Sequence, residues 1–400
     1  MELKIKLLNW SAGFPVVMLN NKTADKLGIY SKDRIFLWTI SKNPKKISSI
    51  VDTIEDLIGE KEIAVSSELK RALDLKKGQK VEISLAPMSK SLSYIRKKLD
   101  GKKLSRQEIR EIIENIVKNS LSEAEMALFI SAMYKNGTTM DETISLVYAI
   151  KETGNSIKWN KGIIVDKHSI GGIPGNRTTP LVVSICAAAG LIVPKASSRA
   201  ITTAAGTADV VETIAKVEFS IQELKKIINK TNGCMIWSGD LGIVPADAKI
   251  IKIEKILEID PEEQLLSSIM AKKLAMGAKY ILIDIPYGKN AKVSKKQGLN
   301  LKKKFEYIGR YFHKKMKVVL TDGNQPIGNG IGPALELMDI MKILERKQDR
   351  PADLEKKSVF LSGEILEMSG KAKKGNGINL AISILDSGKA FEKFKEIIKA

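Results

Sequence analysis

The stretch Asp166 to Pro180, DKHSIGGIPGNRTTP, holds the densest set of chemically useful residues in the chain. An apolar run, GIIVDKHS, ends in Lys167, His168 and Ser169; a glycine-rich turn follows, and Thr178 and Thr179 open the next helix. Backbone N–H groups in such a turn, together with a helix N-terminus, form a cradle for an anion. Ser169 and Thr179 add neutral donors, and Lys167 and Arg177 add charge. The spacing is neither that of a Walker A loop nor GxGxxG. A glycine-rich strand-to-helix turn is often just a tight turn, but its Lys, Ser and Thr flanks make phosphate or a similar anion the expected occupant. A second loop, PKASSRAITTAAGTADVVE from Pro194 to Glu212, leaves the run GLIVP and gathers Ser197, Ser198, Thr202, Thr203 and Thr207 around Arg199. Alone it reads equally well as a Ser/Thr-rich surface loop. Two such loops after two strands of one sheet argue for a shared phosphate-handling cleft.

Loops of this kind need a parallel sheet behind them. Beyond Trp159, LIVPKAS, CMIWSG, AKYILIDIPYG and MKVVLTDG are apolar, β-branched runs of the sort buried in parallel sheets. Helical segments such as SIQELKKIINKTNG alternate with them, which predicts an α/β domain over 159–400 with ligands at the carboxyl ends of its strands. ALELMDIMKILE and the segment from Ala381 to Lys399 close the chain as helices. Residues 87–158 read as a helical domain, in which Ser105 with Glu108 and Ser122 with Glu125 form capping boxes, and Gly101, Gly137 and Gly154 mark helix ends. Residues 1–86 read as a small β-barrel-like domain with strands in LKIKLLNW, RIFLWTI, KEIAVS and KVEISLA and a short helix from Asn21 to Leu27. The expected class is thus multidomain α/β.

Composition narrows the partners. With 400 residues, 44% hydrophobic and 28% charged, the chain is neither disordered nor fibrous. No apolar run reaches the ~18–20 residues of a membrane span, and MELKIKLLNW lacks a signal-peptide core, so a cytoplasmic protein without a membrane partner is expected. Cys186 and Cys234 sit in apolar contexts and read as two buried thiols. The net charge of +20 admits a nucleic-acid binder, a site for small anions, or a lysine-rich surface. The densest basic stretch, Lys292 to Lys317, interleaves Phe305, Tyr307, Tyr311 and Phe312, but it also reads as an amphipathic helix whose aromatics face a core, and no nucleic-acid motif accompanies it.

At the second loop the residues resemble a family. SSRAITTAAGTADVVE, Ser197 to Glu212, matches the signature of thymidine and pyrimidine nucleoside phosphorylases, S-[GS]-R-[GA]-hydrophobic followed by GTxD. The first loop is similar to that family's KHSxGG phosphate loop; PADAK, Pro245 to Lys249, and SSIMAKKLAMGA, Ser267 to Ala278, fall in the family's order. The resemblance covers roughly residues 90 to 350. Departures from the thymidine branch are a first loop one residue longer, Thr203 in place of a histidine, no arginine in IIKIEKILEID, and the extra Lys289 and Lys292 of IDIPYGKNAKV. These, with the N-terminal β domain, resemble the archaeal AMP phosphorylases, which continue for about another hundred residues; a C-terminal domain is expected to be missing here.

The resemblance implies the nucleoside phosphorylase and phosphoribosyltransferase fold, with phosphorolysis of AMP, and of CMP and UMP, by inorganic phosphate to free base and ribose 1,5-bisphosphate. It implies no cofactor and no metal, inorganic phosphate being a co-substrate, and a homodimer paired through the helical domain, with a hinge at Thr153 to Gly162. By the same resemblance Lys167, Ser169, Thr179, Ser197 and Thr207 hold phosphate. Gly172, Ser198, Arg199, Ala200, Ile201, Thr202, Thr203, Thr207 and Lys292 hold the nucleotide, and Ser268 with Lys272, one turn later on the same helical face, contacts the base. Asp260 resembles the proton donor; its spacing also suits an N-cap ahead of Pro261. His168 is second to Asp260 as acid, or lines the ribose or phosphate. Rival readings are a thymidine or pyrimidine nucleoside phosphorylase and a basic nucleic-acid-binding protein. Anthranilate phosphoribosyltransferase shares the architecture but needs Mg²⁺-binding carboxylates for which no acidic pair is suitably placed.

Overall fold

The structure is a computed structural model that describes residues 1–8, 10–86, 89–160, 162–200, 203–239 and 241–400. The chain divides into two compact units: Met1–Thr138 with Lys249–Ile259, and Thr139–Ala248 with Asp260–Ala400.

The first unit begins with β1 (Glu2–Leu7), β2 (Val16–Asn20), β3 (Arg34–Thr39), β4 (Lys46–Ile54), β5 (Glu62–Val65) and β6 (Lys80–Leu85). They close into a barrel in the order β1-β5-β2-β4-β3-β6. Alternation drives the closure: Leu3 and Ile5 of β1, Ile35 and Leu37 of β3, and Val81 and Ile83 of β6 point into one core, while Glu2, Lys4, Lys80 and Glu82 face solvent. The sequence pattern shows neither β2 nor β4, and the ring needs both. The helix Asn21–Leu27 is where its pattern puts it, with Asn20 accepting from the Lys22 N–H and Gly28 ending it at φ +63°. Helices Lys90–Leu99, Arg106–Val117 and Glu123–Asn136 follow, and the capping boxes at Ser105/Glu108 and Ser122/Glu125 are formed.

In the second unit, β7 (Val165–Ser169), β8 (Val193–Ser197), β9 (Gly233–Trp237), β10 (Tyr280–Tyr287) and β11 (Lys315–Asp322) pair in parallel. The ladders β11-β10-β7 and β8-β9 are joined by a bridge between Ile164 and Ile192. Read across the sheet, the chain steps from β7 through β8 to β9, then returns to the other side of β7 for β10 and β11. The direction reverses between β7 and β10, and such a switch point opens a crevice at the strands' carboxyl ends.

Both faces of this sheet are covered. Leu282 of β10 packs into one core with the helix Thr178–Ala188, while Ile281, Ile283 and Ile285 pack into another with Leu266, Leu301 and Phe305. Two-sided burial explains why these strands read as unbroken apolar runs. Cys186 and Cys234 are free and buried, and burial pushes both thiols up. In the lysine-rich helix Lys295–Tyr311, Phe305 is buried in the core, whereas Tyr307 and Tyr311 are exposed, so only part of its aromatic set faces inward. The capping box at Thr139/Glu142 opens the helix Met140–Glu152, against which the helix Glu262–Ala275 packs; Ser267 donates to the Thr143 carbonyl at 3.3 Å. None of the helices among the described residues is long and apolar enough to cross a membrane.

Candidate active site

The carboxyl end of β7 delivers Lys167, His168 and Ser169 to the switch point. Beyond it the chain turns through Gly171, Gly172 and Gly175, all at positive φ, and enters the helix Thr178–Ala188. Two of these glycines are required by close approach as well as by conformation. A Cβ on Gly175 would lie 2.0 Å from the Ile327 carbonyl oxygen, and one on Gly172 would lie 3.0 Å from the Lys292 nitrogen. The second approach seats the first loop against the segment that leaves β10, where Lys292 resides.

Arg177 ties the first loop to the second. Its Nε donates to Glu336 at 2.6 Å, and its two terminal nitrogens donate to the Ala205 carbonyl at 2.6 Å and the Thr207 hydroxyl at 3.3 Å. The sequence reading gave this charge to the anion; the structure spends it on a buried carboxylate and the neighbouring loop. Asp209 closes the second loop from below by accepting from the Ala200 and Gly206 N–H groups, both at 2.7 Å. Arg199 is held by Glu212, by Glu218 at 3.1 Å and by Asp209 at 3.6 Å, above the Trp237 ring, so its guanidinium is committed to protein partners. The Thr203 hydroxyl donates to the Ala205 carbonyl at 2.9 Å. Ser198, Ala200 and Thr203 line this loop; Ile201 and Thr202 lie outside the described residues.

Beneath the two loops lies a buried charge cluster. Asp166 pairs with Lys273 at 2.7 Å and Lys195 at 3.7 Å, and Lys195 donates to the Lys167 carbonyl at 2.8 Å. Lys167 donates to Thr178 at 2.6 Å, and Asp284 of β10 meets Lys357 at 3.2 Å and accepts from Thr321 at 2.6 Å. With the Arg177–Glu336 pair included, the five cations of this cluster stand against its three carboxylates. Buried charge without a counter-charge is costly, and the structure relieves the surplus on the lysines. Burial brings Lys167 down to about 7, helped by Lys357, Arg177 and Lys273 and opposed by Asp284. Burial first, and then Lys273, pushes Lys195 well down. His168 is held well below its ordinary value by burial and by the nearby lysines, which makes it a neutral imidazole. Ser197, only 8% exposed, has a hydroxyl with no hydrogen-bond partner among the described residues. A tetrahedral dianion supplies what is lacking: two negative charges and acceptors for stranded donors.

The remaining candidates fall into two pairs. On the helix Glu262–Ala275, the Lys272 ammonium donates to the Ser268 hydroxyl at 3.2 Å and is anchored by Asp247 at 2.6 Å. Asp260 is ion-paired with Lys292. It is not the N-cap of the helix that follows: that position belongs to Pro261, which has no side-chain cap, because the helix starts one residue later than the sequence suggested. Thr179 is buried at the first turn of the helix Thr178–Ala188, and Ser169 accepts from the Asn176 side chain at 3.3 Å.

The motif reading missed Lys195, Lys273, Asp284, Glu336 and Lys357. Lys195 and Asp284 did carry a signal, since a charged residue inside an otherwise apolar run, as in LIVPKAS or ILIDIP, has to find a buried partner.

Residues 92–154 match the helical bundle domain of a glycosyl transferase family, and residues 161–391 match its a/b domain. The chain is 40% identical over 397 residues to an AMP phosphorylase of Methanococcus vannielii, covering 99% of this chain and 78% of the relative. The AMP phosphorylase of Methanocaldococcus jannaschii is 44% identical over 96% of this chain and 76% of its own length. That of Thermococcus kodakarensis is 41% identical over 100% and 79%. The chain belongs to the AMP phosphorylase family. Members are glycosyl transferases, so this chain is an enzyme of the pentosyltransferase type. Among solved structures, anthranilate phosphoribosyltransferase from Thermus thermophilus superposes with a TM-score of 0.64 at 17% identity, over 76% of this chain and 98% of its own. The Saccharomyces cerevisiae enzyme, solved with PRPP and Mg, gives 0.62 at 14% identity over 78% and 98%. At that identity the likeness concerns the fold alone.

Proposed function

We propose that the chain phosphorolyses nucleoside 5′-monophosphates, AMP foremost and CMP and UMP besides, yielding free base and ribose 1,5-bisphosphate. The observation that carries this reading is the excess of buried basic side chains over carboxylates beneath the two loops, which a bound dianion would hold in their charged forms, with the stranded Ser197 hydroxyl beside it. Lys167, Ser169, Thr179, Ser197 and Thr207 hold inorganic phosphate in line with C1′. Gly172, the second loop from Ser198 to Thr207, and Lys292 hold the nucleotide, while Ser268 and Lys272 meet the base. Little covalent work is asked of the protein: holding the nucleophile in line and stabilising developing charge account for most of the acceleration. The C1′–N bond breaks as the phosphate oxygen bonds C1′, and a proton from Asp260 goes to the departing base. His168, kept neutral, orients sugar or phosphate in place of donating the proton. In this reading the enzyme needs no metal or cofactor and works in the cytoplasm as a homodimer paired through its helical domain.

One assay tests it. AMP, CMP, UMP and thymidine are each incubated with phosphate and the sugar product identified by mass. Release of base from the monophosphates with ribose 1,5-bisphosphate as partner is the expected result. Thymidine cleavage to deoxyribose 1-phosphate with AMP inert would place the chain with the nucleoside phosphorylases instead.

A further inference from the structure

Lys292 and Asp260 are the two residues proposed above to hold the nucleotide and to donate the proton, and the structure joins them to each other. The pair engages both side chains with each other, so as it stands neither is turned to a substrate. The backbone under Lys292 is fixed: Val293 bridges Tyr287, the Gly288 N–H donates to the Val293 carbonyl at 3.2 Å, and Gly172 packs against the Lys292 nitrogen. The side chain is the part left to move. It is 21% exposed, and Asp260, at 40%, opens to solvent. Lysine is a point charge on a flexible stem, suited to exchanging one anion for another.

We propose that Lys292 is a hand-over residue that couples recognition of the 5′-phosphate to the readiness of the acid. Without nucleotide, its ammonium neutralises Asp260. A phosphate dianion attracts the ammonium about twice as strongly at equal distance as a single carboxylate does, and draws it off. Asp260, released from its counter-ion, relays a proton from the buffered solvent to the departing base nitrogen as C1′–N breaks, so that the base leaves neutral. The carboxylate that remains is paired again when Lys292 returns upon release of the sugar bisphosphate. The inference rests on the reading under Proposed function and adds a consequence to it: a nucleoside lacking the 5′-phosphate binds beside an acid still held by Lys292, so its deficit lies in kcat and not only in KM.

The test compares AMP with adenosine at saturating phosphate, with and without phosphite dianion as a detached stand-in for the 5′-phosphate. Wild type should turn over adenosine at least a hundredfold more slowly in kcat than AMP, and phosphite should raise that kcat tenfold or more. In Lys292→Ala, AMP should lose about two orders of magnitude in kcat/KM, adenosine should gain several-fold in kcat, and phosphite should do nothing. The wild-type phosphite experiment needs no variant, so a poorly folding Lys292→Ala does not remove the test. An adenosine deficit confined to KM, or equal losses on both substrates in the variant, overturns the hand-over while AMP phosphorolysis stands. No base release from AMP overturns both.

Discussion

Lys167 titrates near neutral pH, and that gives it a measurable signature. Burial lowers its ordinary value to about 7, so it is charged below that pH and neutral above. Gripping phosphate uses the charged form. As pH rises from 6 to 9, KM for phosphate, corrected for the dianion fraction, should therefore climb above pH 7 by up to about tenfold per unit. Lys167→Met should abolish the slope together with tight phosphate use, as steady-state kinetics across the range will show. The same shift acts on stability with the opposite sense. The unfolded chain holds this proton up to its ordinary value while the fold releases it near 7, so the cost of burying the ammonium is largest below pH 7 and fades as pH rises. At this scale the loop residues were legible because hydroxyls, glycines and a lysine crowd two short stretches. Glu336 was not, since nothing in ALELMDIMKILE says that a glutamate there will be buried against Arg177.

Among the described residues Arg177 fastens the first loop to the second, and its removal separates positioning from mere folding. Arg177→Met leaves Glu336 buried without a counter-charge, a loss of about 3–5 kcal/mol by comparison with other broken buried pairs. Chemical denaturation should show that loss. The double variant Arg177→Met with Glu336→Leu should recover most of the stability, yet kcat/KM for phosphate should stay low, because the tie to Ala205 and Thr207 is still cut. Recovery of both would reduce Arg177 to a scaffold residue. The elements themselves were read unevenly from sequence. Helices with capping boxes announced themselves. Strand β4, KISSIVDTI, hid because Ser48 and Ser49 are buried in it and break the apolar alternation. The helix Ala352–Met368 hid for a related reason: it begins after Pro351 with no side-chain cap and buries Ser358, Ser362 and Gly363 on its inner face.

Over the whole molecule, a net charge of +20 supplies a general attraction for anions, and the cluster beneath the loops supplies a specific one. Melting temperature distinguishes them. Phosphate that binds only the folded state stabilises by mass action, about 1.4 kcal/mol for each tenfold excess over Kd. The midpoint should rise steadily with phosphate in wild type. Chloride at matched ionic strength should not reproduce the rise, and Lys167→Met should lose it; a chloride effect of the same size would assign it to general screening. The domain classes, like the parallel sheet, were readable because hydrophobic period changes sharply along the chain. The reversal of strand order was not, because β10 follows β9 only after two intervening helices and pairs with β7 through contacts that no local pattern records.

The six-stranded ring at the start of the chain has a bearing on how copies of this enzyme can meet. Every strand in it has a hydrogen-bonded neighbour on either side over part of its length, so none presents a wholly unpaired side for a neighbour to extend. Strand donation, the simplest route by which β-rich modules recruit or aggregate, finds no full-length free edge in this one. A partner of this ring meets it chiefly through side chains, where charge and shape can discriminate.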